Sequence, residues 1–196
     1  MEKFNAQIPI RYGVIAFAAA ITIGLLMYVF YQSLASGFLM FAAIGVLSLA
    51  LILFLGIWSG ISYRRSTGGV ISFEHAFLAV FIVFVLNSVG SMTSQILVNK
   101  VIDPQYAEKL SSLIKEKMTD KFEQMNMTDE QIKEATKEMT PEKFNPPMAK
   151  QLQSFGIYLV IAAVVAALIA AFIKRGSSDL INTGATMPTK GSIPIT

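Results

Sequence analysis

Four long apolar runs constrain this chain more than anything else in it: residues 12–31, 37–61, 71–98 and 154–175. Each has the length of the roughly 20-residue helix that crosses a bilayer. Within lipid, a single segment satisfies its backbone groups only as a helix. The sequence therefore predicts an all-α fold, an integral membrane four-helix bundle. Charged residues make up only 15% of the 196 positions, against about 25% in soluble domains. They collect between the apolar runs and at their ends.

The first run invites comparison with a secretory signal, because Lys3 and Arg11 precede it and Ser33-Leu34-Ala35 follows it. Its length exceeds the ~7–15 residues of a signal's apolar region, so a retained spanning helix is expected. Tyr28 and Tyr31 at its end suit a headgroup belt. The brief link 32–36 leaves room only for a tight turn, so the first two runs form a helical hairpin.

The third run differs from the others. Asn87, Ser91 and Gln95 recur at fourfold spacing, which puts them in one stripe on a helix. Polar side chains facing lipid are costly, so the stripe should turn toward a neighbour. Three readings stay open: hydrogen bonds within the bundle, a partner interface, or a transport path. No span carries Asp, Glu, Lys or Arg near its middle, which argues against an ion-coupled carrier. Ser72 is placed to cap this helix, with Glu74 near the positive end of its dipole.

Small residues also recur at fourfold spacing: Ala16, Ala20 and Gly24 in the first run, Gly56 and Gly60 in the second, Ala163, Ala167 and Ala171 in the fourth. Such faces let helix backbones approach closely. Packing inside the bundle is the expected use, with an oligomer seam as the alternative.

Residues 100–153 are of another character, holding nine of the 16 basic and ten of the 13 acidic residues. Asp103-Pro104 is a helix start, and Tyr106, Leu110, Leu113, Ile114, Met118, Phe122 and Met125 follow at helical spacing. Thr128 to Gln131 reads as a capping box opening a second helix, with Ile132, Ala135 and Met139 along its apolar edge. Thr140-Pro141 starts a short third turn, which Asn145-Pro146-Pro147 ends. The expectation is a water-facing helical insert between the third and fourth spans that packs on itself as a cap. The tail 176–196, rich in Gly, Ser, Thr and Pro, is expected to be flexible.

Arg11, Arg64, Arg65, Lys174 and Arg175 flank the spans on the side of the N-terminus. By the bias of short basic flanks, both termini are expected in the cytoplasm, with the insert in the periplasm. Arg64, Arg65, Lys174 and Arg175 are candidate contacts for lipid phosphates or a partner, or topology anchors.

Chemistry-bearing motifs are scarce. The chain has no cysteine and one histidine, so neither a thiolate nucleophile nor a zinc site is expected. Neighbours Glu74 and His75 point about 100° apart on a helix and share no site. GxSxG, GxxxxGK and HExxH are absent from the sequence, and no catalytic residue, metal or cofactor is expected.

Arg11-Tyr12-Gly13, Gly69-Val70-Ile71-Ser72-Phe73 and Ile102-Asp103-Pro104-Gln105-Tyr106, in this order, resemble an uncharacterised family of four-helix inner-membrane proteins from Bacteroidota, a domain of unknown function. The resemblance covers residues 8–175. It implies four spans with a polar helical insert, and it brings no activity or catalytic residues. Association with a polyprenol-phosphate glycosyltransferase is a further implication of the resemblance. The functional expectation is a non-catalytic accessory or scaffold subunit of the bacterial inner membrane supporting a lipid-linked-sugar glycosyltransferase. Its partners would be membrane lipids and a protein or second copy, with no nucleic acid. The alternative is a small oligomeric transporter or channel.

Overall fold

The computed structural model describes residues 4–31 and 38–174, the side chains of 38–41 excepted. The link 32–36, Arg175 and the tail 176–196 fall outside the described residues. The described chain is helical, in the order α1 (Gln7–Val29), α2 (Phe38–Ser66), α3 (Phe73–Ile96), a π-helical turn (Leu97–Ile102), α4 (Tyr106–Gln124), α5 (Asp129–Thr136), α6 (Pro141–Phe144) and α7 (Met148–Ile173). Among the described residues, four helices are long and apolar enough to cross a membrane. The protein is a multi-pass membrane protein.

The helices outrun their apolar runs because the backbone pattern continues into the interface. Helix α1 starts at Gln7, before the apolar stretch, and takes Pro9 in its first turn, where a missing N–H removes no intrahelical bond. The Gln7 N–H instead donates to Asn5 Oδ1 at 3.0 Å. Helix α3 starts at Phe73, capped as expected by Ser72, whose Oγ accepts from the His75 N–H at 3.2 Å. Helix α7 gains a polar first turn containing Lys150 and Gln151.

Helices α1 and α3 run parallel and pack along their whole length. Gly13 meets Leu86, Gly90 meets Phe17 and Ala20, and Gly24 meets Ser94. The approach is closest at Gly90, where a β-carbon would lie 2.6 Å from the carbonyl oxygen and 2.9 Å from the Cα of Phe17. With lipid on the outside, helices gain little by burying apolar area, and close van der Waals packing holds them. Gly90 is what allows that contact here.

The other two spans pack differently. On α2, the buried residues from Leu55 to Tyr63 lie in its second half, and residues 45–47 near its start are exposed. On α7, Ala162, Ala166, Ala170 and Ile173 are buried against Ala76, Ala79, Val80 and Phe84 of α3, in a core that also takes in Tyr63. Residues 152–161 of α7 are exposed or half-buried. The bundle is thus closed at the end that holds Arg64, the arginine end. It is open at the end that holds the insert. Val46, Leu47, Val160 and Phe172 stay 65–70% exposed, an outward apolar surface suited to hydrocarbon.

The insert caps the open end. Tyr106 sets its ring edge-on against Tyr28 and Tyr31, with centroids 5.2 and 5.4 Å away. The tyrosines expected in a headgroup belt therefore also dock the insert. Burial, followed by the neighbouring phenols of Tyr31 and Tyr28, pushes the Tyr106 hydroxyl up to about 12. Within the insert, Thr128 and Gln131 form both bonds of the capping box. Ser111 Oγ donates to the Met139 carbonyl at 2.7 Å, tying α4 to the chain beyond α5. One detail of the apolar edge is corrected: Ala135 is exposed, and Thr136 takes the buried place. Its hydroxyl is satisfied by the Ile132 carbonyl at 2.9 Å.

Candidate functional site

The polar stripe of α3 lies where the bundle opens. Asn87 and Tyr158 of α7 line the same opening. Ser91 is exposed, and its hydroxyl donates back to the Asn87 carbonyl at 3.1 Å. Gln95 Nε2 donates to the Phe144 carbonyl at 3.3 Å, across to the end of α6. The stripe therefore bonds the insert at its Gln95 end and presents Asn87 and Ser91 to the opening.

Two cavities meet at this stripe, both lined by Asn87, Ser91 and Tyr158. One, of about 290 Å³, lies between α1, α2 and α3, with Ala16, Ala20 and Ser48 in its walls. The other, of about 460 Å³, lies between α3 and α7 under the insert, with Gln95, Lys143, Gln151 and Ser154 in its walls. Together they form a cleft with a floor of amide and hydroxyl groups and flanks of apolar helix.

Below the floor the cleft ends. Val83, Val80, Ala79 and Ala76, the next residues of α3 toward the arginine end, are fully buried. Ser59 of α2 is buried beside them and donates from Oγ to the Ala79 carbonyl at 2.8 Å. Sequence reasoning missed Ser59 and Gly90. The signals were a small polar residue next to Gly60 and a glycine inside the polar stripe.

Two buried amide oxygens near the insert are orphaned, one on Gln151 and one on Asn99 of the π-helical turn. Gln151 Nε2 donates to the Pro146 carbonyl at 2.9 Å, and Asn99 Nδ2 donates to the Gln95 carbonyl at 3.0 Å. Their partner atoms, Gln151 Oε1 and Asn99 Oδ1, are buried with no hydrogen bond among the described residues. An unsatisfied buried acceptor costs about 1–3 kcal/mol.

The small-residue faces point into the bundle, with one change of register. Ala16 is buried with Leu55 and Val83; Ala20 and Gly24 meet α3 at Gly90 and Ser94. Gly56 meets Phe84 and Val80, and Gly60 meets Ile173 and Val80. On α7 the buried face is Ala162, Ala166 and Ala170. Ala163 and Ala167 are only half-buried and Ala171 is exposed. The expected α7 seam was therefore one residue out of register. The helix carries three alanine doublets, and either register offers a small-residue face.

Arg64 makes two hydrogen bonds at the arginine end. Its Nε donates to the Gly69 carbonyl at 2.8 Å and its Nη1 to the Ile173 carbonyl at 3.1 Å. One guanidinium thus ties the α2–α3 turn to the last turn of α7, where a cation also favours the helix dipole. Gly68 and Gly69 shape that turn, both at positive φ. Arg65 is exposed, its guanidinium carbon 6.0 Å from the Trp58 ring centroid, and Lys174 is exposed. Among the described residues, no group of three or more His, Cys, Asp or Glu side chains could hold a metal ion.

Residues 11–175 match the family described as "Protein of unknown function (DUF4199)". The chain belongs to this family. The match takes in the first span from Arg11 onward, the other three spans, the insert and every residue of the cleft. No curated protein and no solved structure matches the chain.

Proposed function

We propose that this member of the family is a non-catalytic accessory subunit of the bacterial inner membrane. It holds a polar membrane component in its cleft and supports a membrane-associated enzyme that acts on lipid-linked sugars. The cleft is the observation that carries this reading. A bundle closed at one end and open over amide and hydroxyl groups at the other leaves a polar surface that hydrocarbon cannot satisfy. Such a surface needs an occupant. The carboxylates of the described chain lie in the insert and at Glu74, and none lines the cleft, which favours holding over acid–base chemistry.

We further propose that both termini are cytoplasmic and the insert is periplasmic. Arg11, Arg64, Arg65 and Lys174 sit at the same end of the bundle, as Tyr12–Ser62 and Arg64–Ile173 hydrogen bonds bring those helix ends together. Short basic flanks of this kind stay inside. A transport path is the weaker reading, because the buried Val83, Val80 and Ala79 leave the polar floor without a continuation.

Affinity purification of the full chain from its own membranes in mild detergent tests the accessory role. An enzyme acting on lipid-linked sugars is expected to co-purify in near-stoichiometric amount. Recovery of the chain alone, with such an enzyme present in the same membranes, would count against the reading.

A further inference from the structure

The smaller opening, between α1, α2 and α3, lies at a depth where few occupants can serve it. Asn87 in its wall stands midway along the span Phe73–Ile102. At the centre of a bilayer, acyl chains offer neither donor nor acceptor. An amide carries two donor hydrogens and an acceptor oxygen, more than one neighbour uses. At that depth the matching groups arrive on another helix, and amide and hydroxyl side chains commonly link spans in this way.

The opposite wall is a helix half with little to hold it. From residue 42 to residue 54, α2 has no buried residue, whereas Leu55, Gly56, Ser59 and Gly60 beyond are all buried. Leu49 and Leu51 edge the opening and are exposed. Lipid satisfies such apolar side chains, so their exposure alone says nothing of a partner. Gly45 adds a place for close approach, since nothing lies within 4 Å of a β-carbon there.

Ser48 points to the occupant. It lines the opening together with Asn87, so the two lie at similar depth. Its Oγ donates to the Ile44 carbonyl at 2.7 Å, and the oxygen keeps its capacity to accept. A twofold axis along the membrane normal preserves depth. It therefore brings Ser48 of a second copy level with Asn87 of the first, and the reverse. A projecting helix half beside an opening is self-complementary under that axis, because each copy supplies what the other lacks.

We infer that the chain forms a twofold dimer in the membrane. The first half of α2 of each copy seats in the α1–α2–α3 opening of the other, and Ser48 and Asn87 of both copies meet near the axis. This goes beyond the accessory role. It leaves the larger opening under the insert uncovered, and with it the access of Ser91 to water.

Single cysteines in the full chain, kept in its own membranes, test the geometry, since the chain has no cysteine of its own. Ser48→Cys is expected to give a disulfide-linked dimer on mild oxidation, a bond that needs β-carbons within about 4.5 Å of each other. Val160→Cys, on an exposed face of α7, is expected to stay monomeric. Linkage at Val160→Cys alone, at both positions equally, or at neither would overturn the inference.

Dilution tests the chemistry. Labelled chains in phosphatidylethanolamine–phosphatidylglycerol vesicles, counted by single-molecule photobleaching over a range of lipid-to-protein ratios, give a monomer–dimer constant. Asn87→Leu, of similar size but without hydrogen bonds, is expected to raise the dissociation constant about tenfold, the effect of two interhelical hydrogen bonds. An unchanged constant would contradict the assignment. Monomers alone at every ratio for the unaltered chain would do so too, and would give the opening to lipid or to a helix of another protein. If Asn87→Leu fails to fold, the cysteine comparison decides by itself. None of these outcomes touches the accessory role, which rests on co-purification of an enzyme.

Discussion

Replacing Gly90 by leucine is expected to leave no folded bundle, and Gly90→Ala is expected to cost on the order of 1–3 kcal/mol, the range for overpacking a tight interior. The reason is the identity of the atoms in the way. The added β-carbon would lie 2.6 and 2.9 Å from the carbonyl oxygen and Cα of Phe17. A side chain can rotate away, but backbone yields only if α1 and α3 separate. These two helices are the part of the bundle that packs throughout, and both the α2 and α7 contacts are built on α3.

Heating the protein in detergent while following its elution as a single species would read this directly. Gly90→Ala should melt well below the unaltered chain, and Gly90→Leu should elute as aggregate. Gly45→Ala and Gly156→Ala serve as controls, since nothing lies within 4 Å of a β-carbon at either. Both should hold or gain stability, by up to about 1 kcal/mol of helix propensity. If Gly90→Leu elutes and melts like the unaltered chain, the α1–α3 contact is not the one described.

The second large effect is expected at Arg64. Removing its side chain in Arg64→Ala deletes two charged hydrogen bonds, to the Gly69 and Ile173 carbonyls. Each such bond contributes about 1.5–3 kcal/mol where water is excluded. Arg64 is half-buried, so a combined loss of about 2 kcal/mol is expected once solvent competition is counted. Arg64→Lys should recover only part of this, because an ammonium is a compact point charge and cannot span two carbonyls as a guanidinium fork does. Arg65→Ala should change stability little, since its contact with Trp58 is long and exposed, of a kind worth about 0.5–1 kcal/mol. The melting temperatures of the three variants settle the order. An Arg65→Ala effect larger than that of Arg64→Ala would return Arg64 to the role of a surface anchor.

Local signals in the sequence proved legible, and facing directions did not. The cap at Ser72 and the box of Thr128 and Gln131 depend on residues three apart, and the structure forms both. The four spans follow from apolar length alone. Fourfold spacing alone predicts Ala163, Ala167 and Ala171 on the packing face of α7, where Ala162, Ala166 and Ala170 lie. Inside a membrane, an apolar side chain is stable facing either lipid or protein, so hydrophobicity does not mark the inward face. Periodicity found a seam of small residues without its register.

The polar stripe was legible for the opposite reason. Asn87, Ser91 and Gln95 are unfavourable in hydrocarbon, so their direction is coded in their chemistry. What the sequence did not contain was the separation of α2 and α7 from α3 at the insert end, which turns a stripe into a cleft. Nor did it show that Arg64 is held by the ends of other elements. Both facts depend on residues far apart in the chain, such as Arg64 and Ile173.

The polar cleft is open at the insert end and closed toward the arginine end. The chain has no cysteine, so single cysteines can be introduced without background. Ser91→Cys, on the floor, is to be compared with Val83→Cys, fully buried just below it. The chain is kept in sealed membranes and treated with a membrane-impermeant thiol reagent from one face at a time. Ser91→Cys should react from the insert face alone, and Val83→Cys from neither. Equal inertness of the two cysteines, or reaction of Ser91→Cys from both faces, would contradict the claim.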